Sequence, residues 1–171
     1  MIMKNILKKL IFFIPIFFCA FQCEIPPQIT NISYIKNSTK DTVYILSNIW
    51  RDEIYQEFKP GDMIKWDEGC NDYAFPFMRG SIYNSTWTMK SKDGTILRRW
   101  TPENSKDLPK DRNTALAEGY ATYFKGCIGV RVLHYEEDWT PCTISADTTI
   151  WTFEILPEDL IPLSEIIRFG S

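Results

Sequence analysis

The chain has 171 residues, with 19 basic and 22 acidic side chains, a single histidine and 15% aromatic residues. Its net charge of −3 excludes a nucleic-acid-binding protein, whose phosphate partner demands the opposite sign. Scattered cysteines and one histidine also lack the paired spacing of a transition-metal site.

Met1 to Glu24 has the layout of a bacterial export signal. Lys4, Lys8 and Lys9 precede the apolar run Leu10–Phe21, which ends in polar Gln22, Cys23 and Glu24. The run is shorter than the roughly 20 residues of a membrane-spanning helix and carries Pro15 near its middle. Residues 1–22 therefore read as a signal peptide. Two cleavage readings stand: Cys23 as the lipid-modified first residue of a lipoprotein, preceded by Gln22, or a cut near Ala20 that releases a soluble chain. Residues 23–30, with Pro26-Pro27, form a tether, and residues 31–171 form a single β-rich domain. Without its leader the chain keeps 16 basic and 22 acidic side chains, net −6 over 149 residues. That length buries roughly 68–70% of the unfolded surface in one core, so folding requires no disulfide.

Ile32–Lys36 and Thr42–Trp50 read as strands joined by the polar loop Asn37–Asp41, of hairpin length. Val43, Ile45 and Ile49 share one face and Tyr44, Leu46 and Trp50 the other, so the second strand is expected to be central. A further hairpin is expected from Glu57-Phe58 through the Pro60-Gly61 turn to Met63–Trp66. In Thr86–Trp100, Asp93-Gly94 supplies a two-residue turn that sets Trp87 opposite Trp100 and Met89 opposite Arg98. The charged stretch Thr101–Arg112 reads as a surface loop, and Thr114–Phe124 is divided between helix and non-helix signals. A strand is expected over Cys127–Tyr135, with Ile128, Val130, Val132 and His134 on one face, followed by an acidic turn at Glu136–Asp138. Cys142–Ser145 and Thr148–Ile155 read as strands, the latter pointing Trp151, Phe153 and Ile155 to one face. Pro157-Glu158-Asp159 opens a short C-terminal helical turn that Pro162 stops. About eight short strands make an all-β antiparallel β-sandwich, with a partly open β-barrel as the alternative.

No catalytic set emerges. His134 shares its expected strand face with aliphatic residues, and Cys127 falls on the opposite face. The acids Asp67-Glu68 with Asp72, and Glu136-Glu137-Asp138, show no calcium-loop spacing and read as solvated turns. Glu137 and Asp138 are nonetheless the pair that a hydrolase of glycosidic bonds would use. No cofactor is implied. Trp139, beside the acidic turn, is a ligand-binding candidate that would stack on a sugar or anchor a protein partner; its alternative is to fold back over the sandwich end. The sequons at Asn31, Asn37 and Asn84 read as polar turn residues in a bacterium.

In an oxidising compartment Cys70, Cys127 and Cys142 are disulfide candidates. If Cys23 carries lipid, one of these three is left free or pairs between molecules. A hairpin turning near Asp138 would hold Cys127 and Cys142 apart, so Cys70 is expected to bond one of them.

The export segment ending at Cys23, the Asn37–Ile45 opening, the Lys59-Pro60-Gly61 turn and Gly94–Trp100 together resemble small exported lipoproteins of Bacteroidota-type bacteria. The resemblance implies a sandwich in the periplasm, at the outer membrane or on the cell surface. It carries no catalytic residue across. Its partners would be the membrane, through the lipid anchor, and a protein or glycan.

Overall fold

The computed structural model describes residues 29–49, 52–71 and 85–169; the signal segment, most of the tether, Trp50, Asp72 and Asn84 lie outside them. Eight strands form two four-stranded sheets. They are β1 (Ile29–Asn37), β2 (Val43–Ile49), β3 (Asp52–Phe58), β4 (Met63–Asn71), β5 (Trp87–Ser91), β6 (Ile96–Trp100), β7 (Thr140–Ser145) and β8 (Thr148–Ile155). One sheet has the order β4-β1-β8-β7 and the other β3-β2-β5-β6, so the domain is an open all-β sandwich and not a barrel. All neighbours are antiparallel except β1 and β8, which run parallel from Thr30 opposite Thr148 to Asn37 opposite Ile155. The expected central position of β2, between β3 and β5, is what forms.

The two expected N-terminal hairpins do not form as such. β1 and β2 lie in different sheets, and so do β3 and β4. The four strands are two halves of one ribbon folded at a corner: Val43 faces Phe58 on one side of the bend and Lys36 faces Met63 on the other. The bend turns Ile35, Val43, Ile45 and Phe58 towards one interior, which a flat hairpin could not do. Asn37 pins it. This fully buried side chain donates to the carbonyls of Asp41 (2.8 Å) and Phe58 (3.0 Å) and accepts from the Thr39 N–H (3.0 Å) and hydroxyl (2.8 Å). The Pro60-Gly61 turn forms as expected, with Gly61 at φ 83° and the Asp62 N–H donating to Lys59 O, but it serves the corner.

β5 and β6 pair Trp87 with Trp100 and Met89 with Arg98, as the sequence suggests. Their turn is one residue longer than expected: the Ser91 N–H donates to Thr95 O around Lys92-Asp93-Gly94, with Gly94 at φ 88°. A bulge then sets Lys90 opposite Ile96 and cancels the extra residue. Between the sheets the rings form two aromatic groups within the core. Trp66 lies 6.3 Å from Phe58 and 4.7 Å from Trp87, and Phe153 lies 5.8 Å from Trp100 and 5.5 Å from Trp139.

The stretch 101–139 wraps the β6 side of the sandwich. Thr101–Arg112 is irregular as expected, and the ambiguous segment splits into helix α1 (Arg112–Ala117) and a 3₁₀ turn at Ala121–Phe124. Asp111 caps α1 by accepting from the Thr114 N–H at 2.8 Å. Gly119, at φ 79°, lets the chain close on β6, where the Arg99 N–H donates to Gly119 O at 2.6 Å.

The strand expected over Cys127–Tyr135 is absent. Gly126 and Gly129 take positive φ, and the segment runs as successive turns. Side chains satisfy its backbone where a ladder was expected. The indoles of Trp100 and Trp139 donate to Arg131 O and Leu133 O, each at 2.9 Å, and Asp138 Oδ2 accepts from the Val132 N–H at 2.7 Å. Burial follows no alternation: Val130, Val132, Leu133 and His134 are buried while Ile128 is 90% exposed. At the C-terminus the expected helical turn forms as a 3₁₀ turn, Pro157–Leu160, and is followed by an unexpected helix, α2 (Leu163–Phe169). Pro162 precedes its first turn and costs that turn no hydrogen bond.

Candidate functional site

Trp139 is not a loop-tip aromatic. It is 4% exposed, its indole N–H is donated to Leu133 O, and its ring packs on Phe153, so it covers the sandwich end and offers no face to a sugar. Glu137 lies 3.6 Å from Lys125, which also sits 3.4 Å above the Tyr135 ring. Its neighbour Asp138 holds the Val132 N–H, and partial burial raises its pKa above the ordinary aspartate value. Asp138 thus fastens the 125–139 segment, while Glu137 forms only a solvent-exposed pair with Lys125. His134 is buried in the same segment. Asn31 and Asn37 are buried too, Asn31 accepting from the Trp151 indole at 2.9 Å, and neither is the turn residue expected.

Cys127 and Cys142 are free thiols, so the expected bridge from Cys70 to either is not made. β4 and β7 are opposite edges of one sheet, which places Cys70 and Cys142 three strand spacings apart, about 14 Å against a limit of about 7 Å. Cys127 and Cys142 are also not bonded to each other, although the hairpin expected to separate them is missing. Among the described residues no cluster of three or more metal-ligating side chains occurs, and no helix is long and apolar enough to cross a membrane.

A groove of about 650 Å³ opens where the two sheets' loops meet the C-terminal segment. One wall is the pinned corner, Lys40-Asp41-Thr42; the facing wall is the β5–β6 turn, with Ser91, Lys92, Asp93 and Thr95. Its apolar lining is Val43, Leu97, Leu160 and Pro162, and none of the lining side chains is aromatic. The local hydrogen bonds of Asn37 and Thr39 fix one wall, and Asp93 fixes the other by accepting from the Ser91 hydroxyl and from the Thr95 N–H at 3.1 Å. Those bonds hold the Asp93 carboxyl below its ordinary pKa.

Behind the groove lies a buried ion cluster that sequence reasoning missed. Arg98 is 0% exposed; it donates to Leu97 O (2.7 Å), Ile161 O (2.6 Å) and Glu158 O (2.9 Å). Burial pulls its pKa down to about 10, against the opposing pull of Asp159. Arg131 pairs with the fully buried Asp159 and donates to Glu154 O, while Asp159 also accepts from the Leu156 N–H at 2.9 Å. These bonds clamp residues 154–161 and so hold Leu160 and Pro162 at the groove. The signal was present in the sequence: Met89 faces inward, so the residue opposite it, Arg98, must do so as well.

Comparison with known protein families, with curated proteins and with solved structures returns no match to this chain.

Proposed function

We propose that the chain is an exported cell-envelope protein, anchored by lipid on Cys23, that works as a non-enzymatic binding module in the periplasm, at the outer membrane or on the cell surface. The observation that carries this reading is the placement of the groove. The tether enters β1 at Ile29, and β1 runs nine residues to Asn37, beside the groove-forming corner. At roughly 3.3 Å per residue, entry point and groove are about 26 Å apart, at opposite poles. An anchored domain therefore holds its groove away from the membrane. The Asp138 carboxylate of the notional hydrolase pair is already engaged in holding the Val132 N–H, which favours binding over catalysis.

The test is membrane fractionation together with a distance measurement. Cys23→Ser is expected to move the protein from the membrane to the soluble fraction. In the anchored protein, with Cys70, Cys127 and Cys142 replaced by serine, a fluorophore at Ala146→Cys should be quenched by a lipid-borne quencher and one at Lys92→Cys should not. Ala146 lies in the turn beside the Thr30 end of β1 and Lys92 at the groove. Equal fractionation of wild type and Cys23→Ser would overturn the anchor, and quenching at Lys92 would overturn the orientation.

A further inference from the structure

The groove rim carries two lysine–aspartate steps, Lys40-Asp41 on the corner and Lys92-Asp93 on the turn. They are not equivalent. Asp93 is spent on its own turn through Ser91 and Thr95, whereas Asp41 contributes its backbone to the corner: its N–H donates to Thr39 Oγ1 at 3.1 Å and its carbonyl accepts from Asn37. Among the described residues, Lys40, Lys92 and the Asp41 carboxylate enter no ion pair. Two ammonium groups and two carboxylates thus rim an aliphatic lining of Leu97, Leu160 and Pro162; Asp93 stays ionised but is bonded within its own turn, which leaves Asp41 as the carboxylate open to a ligand.

Building on the reading of this chain as a binding module, we propose that the groove takes a short zwitterionic peptide with an aliphatic side chain. The peptide's carboxylate sits between Lys40 and Lys92, its terminal ammonium at Asp41, and its side chain on Leu160 and Pro162. Three features select this class. A purely anionic ligand would leave Asp41 facing it, a like-charge contact that disfavours binding. A glycan would find no aromatic ring to stack on. A cavity of about 650 Å³ lies within the roughly 300–1,000 Å³ of small-ligand sites and admits a few residues, not a folded partner.

Isothermal titration of the full-length protein with leucyl-leucine, with N-acetyl-leucyl-leucine amide and with maltotriose tests this. Leucyl-leucine should bind; the blocked peptide and the sugar should bind at least about tenfold more weakly. Lys40→Gln with Lys92→Gln should weaken leucyl-leucine about tenfold, and Asp41→Asn should weaken it but not its N-acetylated free acid. The rim side chains are exposed, and unchanged thermal melts confirm that the variants fold. No binding of leucyl-leucine up to its solubility, or equal binding of blocked and free peptides, overturns the assignment. Membrane fractionation of Cys23→Ser does not involve the groove, so a failure here and a failure of the anchored-module reading are separately visible.

Discussion

At the scale of single residues, a few buried polar side chains shape the sandwich alongside its apolar core. Asn37 replaces four backbone or side-chain partners that the bend would otherwise strand, and Asn37→Ala is expected to lower stability by about 3 kcal/mol, with the urea m-value unchanged. Two carboxyls set opposite pH dependences. The Lys36 ammonium (2.7 Å) and the Ser38 hydroxyl hold Glu154 below its ordinary pKa, so its contribution is present above that value and lost as pH falls through the folded one. Glu154→Gln should flatten the acid limb of a stability–pH curve. Desolvation raises Asp138, so its ionisation costs stability as pH climbs through its folded value, and the difference between wild type and Asp138→Asn should shrink or reverse in that direction. Little of this was legible from sequence. In Asn31-Ile32-Ser33-Tyr34-Ile35, the polar residues point inward and Ile32 and Tyr34 outward, because Trp151 and the corner supply the asparagines with partners that only the fold reveals.

At the scale of elements, turns were legible and partners were not. The Pro60-Gly61 and Asp93-Gly94 signals both mark real turns, but a short polar loop serves a corner between sheets as well as a hairpin, and only the buried ribbon decides between them. The Trp87–Trp100 register survived a wrong loop length because the bulge at β6 absorbed the difference. The missing 127–135 strand was signalled by Gly126 and Gly129, whose positive φ angles outweigh the apparent alternation. Glycine substitutions separate backbone strain from crowding. Gly94 has nothing within 4 Å of a notional Cβ, so Gly94→Ala should cost about 1 kcal/mol through φ alone. At Gly119 that Cβ would stand 3.2 Å from Ile96 Cγ2, so Gly119→Ala should cost more and expose the β6 edge to faster amide exchange at Arg99. For the C-terminal clamp, Asp159→Ala leaves Arg131 without its carboxylate and is expected to cost about 3 kcal/mol by denaturant unfolding.

At the scale of the whole molecule, the sandwich was legible because its short strands alternate and are spaced by turn residues; the division of those strands between two sheets was not, since it depends on contacts distant in sequence. The groove was not legible either. It is assembled from residues 40–43, 91–97 and 160–162, none of which carries a ligand-binding motif, and Trp139, the aromatic that the sequence offered, is consumed by the core. The central claim is the proposal that an anchored domain presents that groove, and it rests on Cys23 carrying lipid. Intact mass of the protein from its native membrane fraction, alkylated without prior reduction, tests it most directly. The account predicts a mass beginning at Cys23 with an acylated glyceryl adduct and three alkyl groups, on Cys70 as well as on Cys127 and Cys142, since neither of the latter two bonds Cys70. An unmodified mass, or one in which these thiols resist alkylation until reduced, would contradict it.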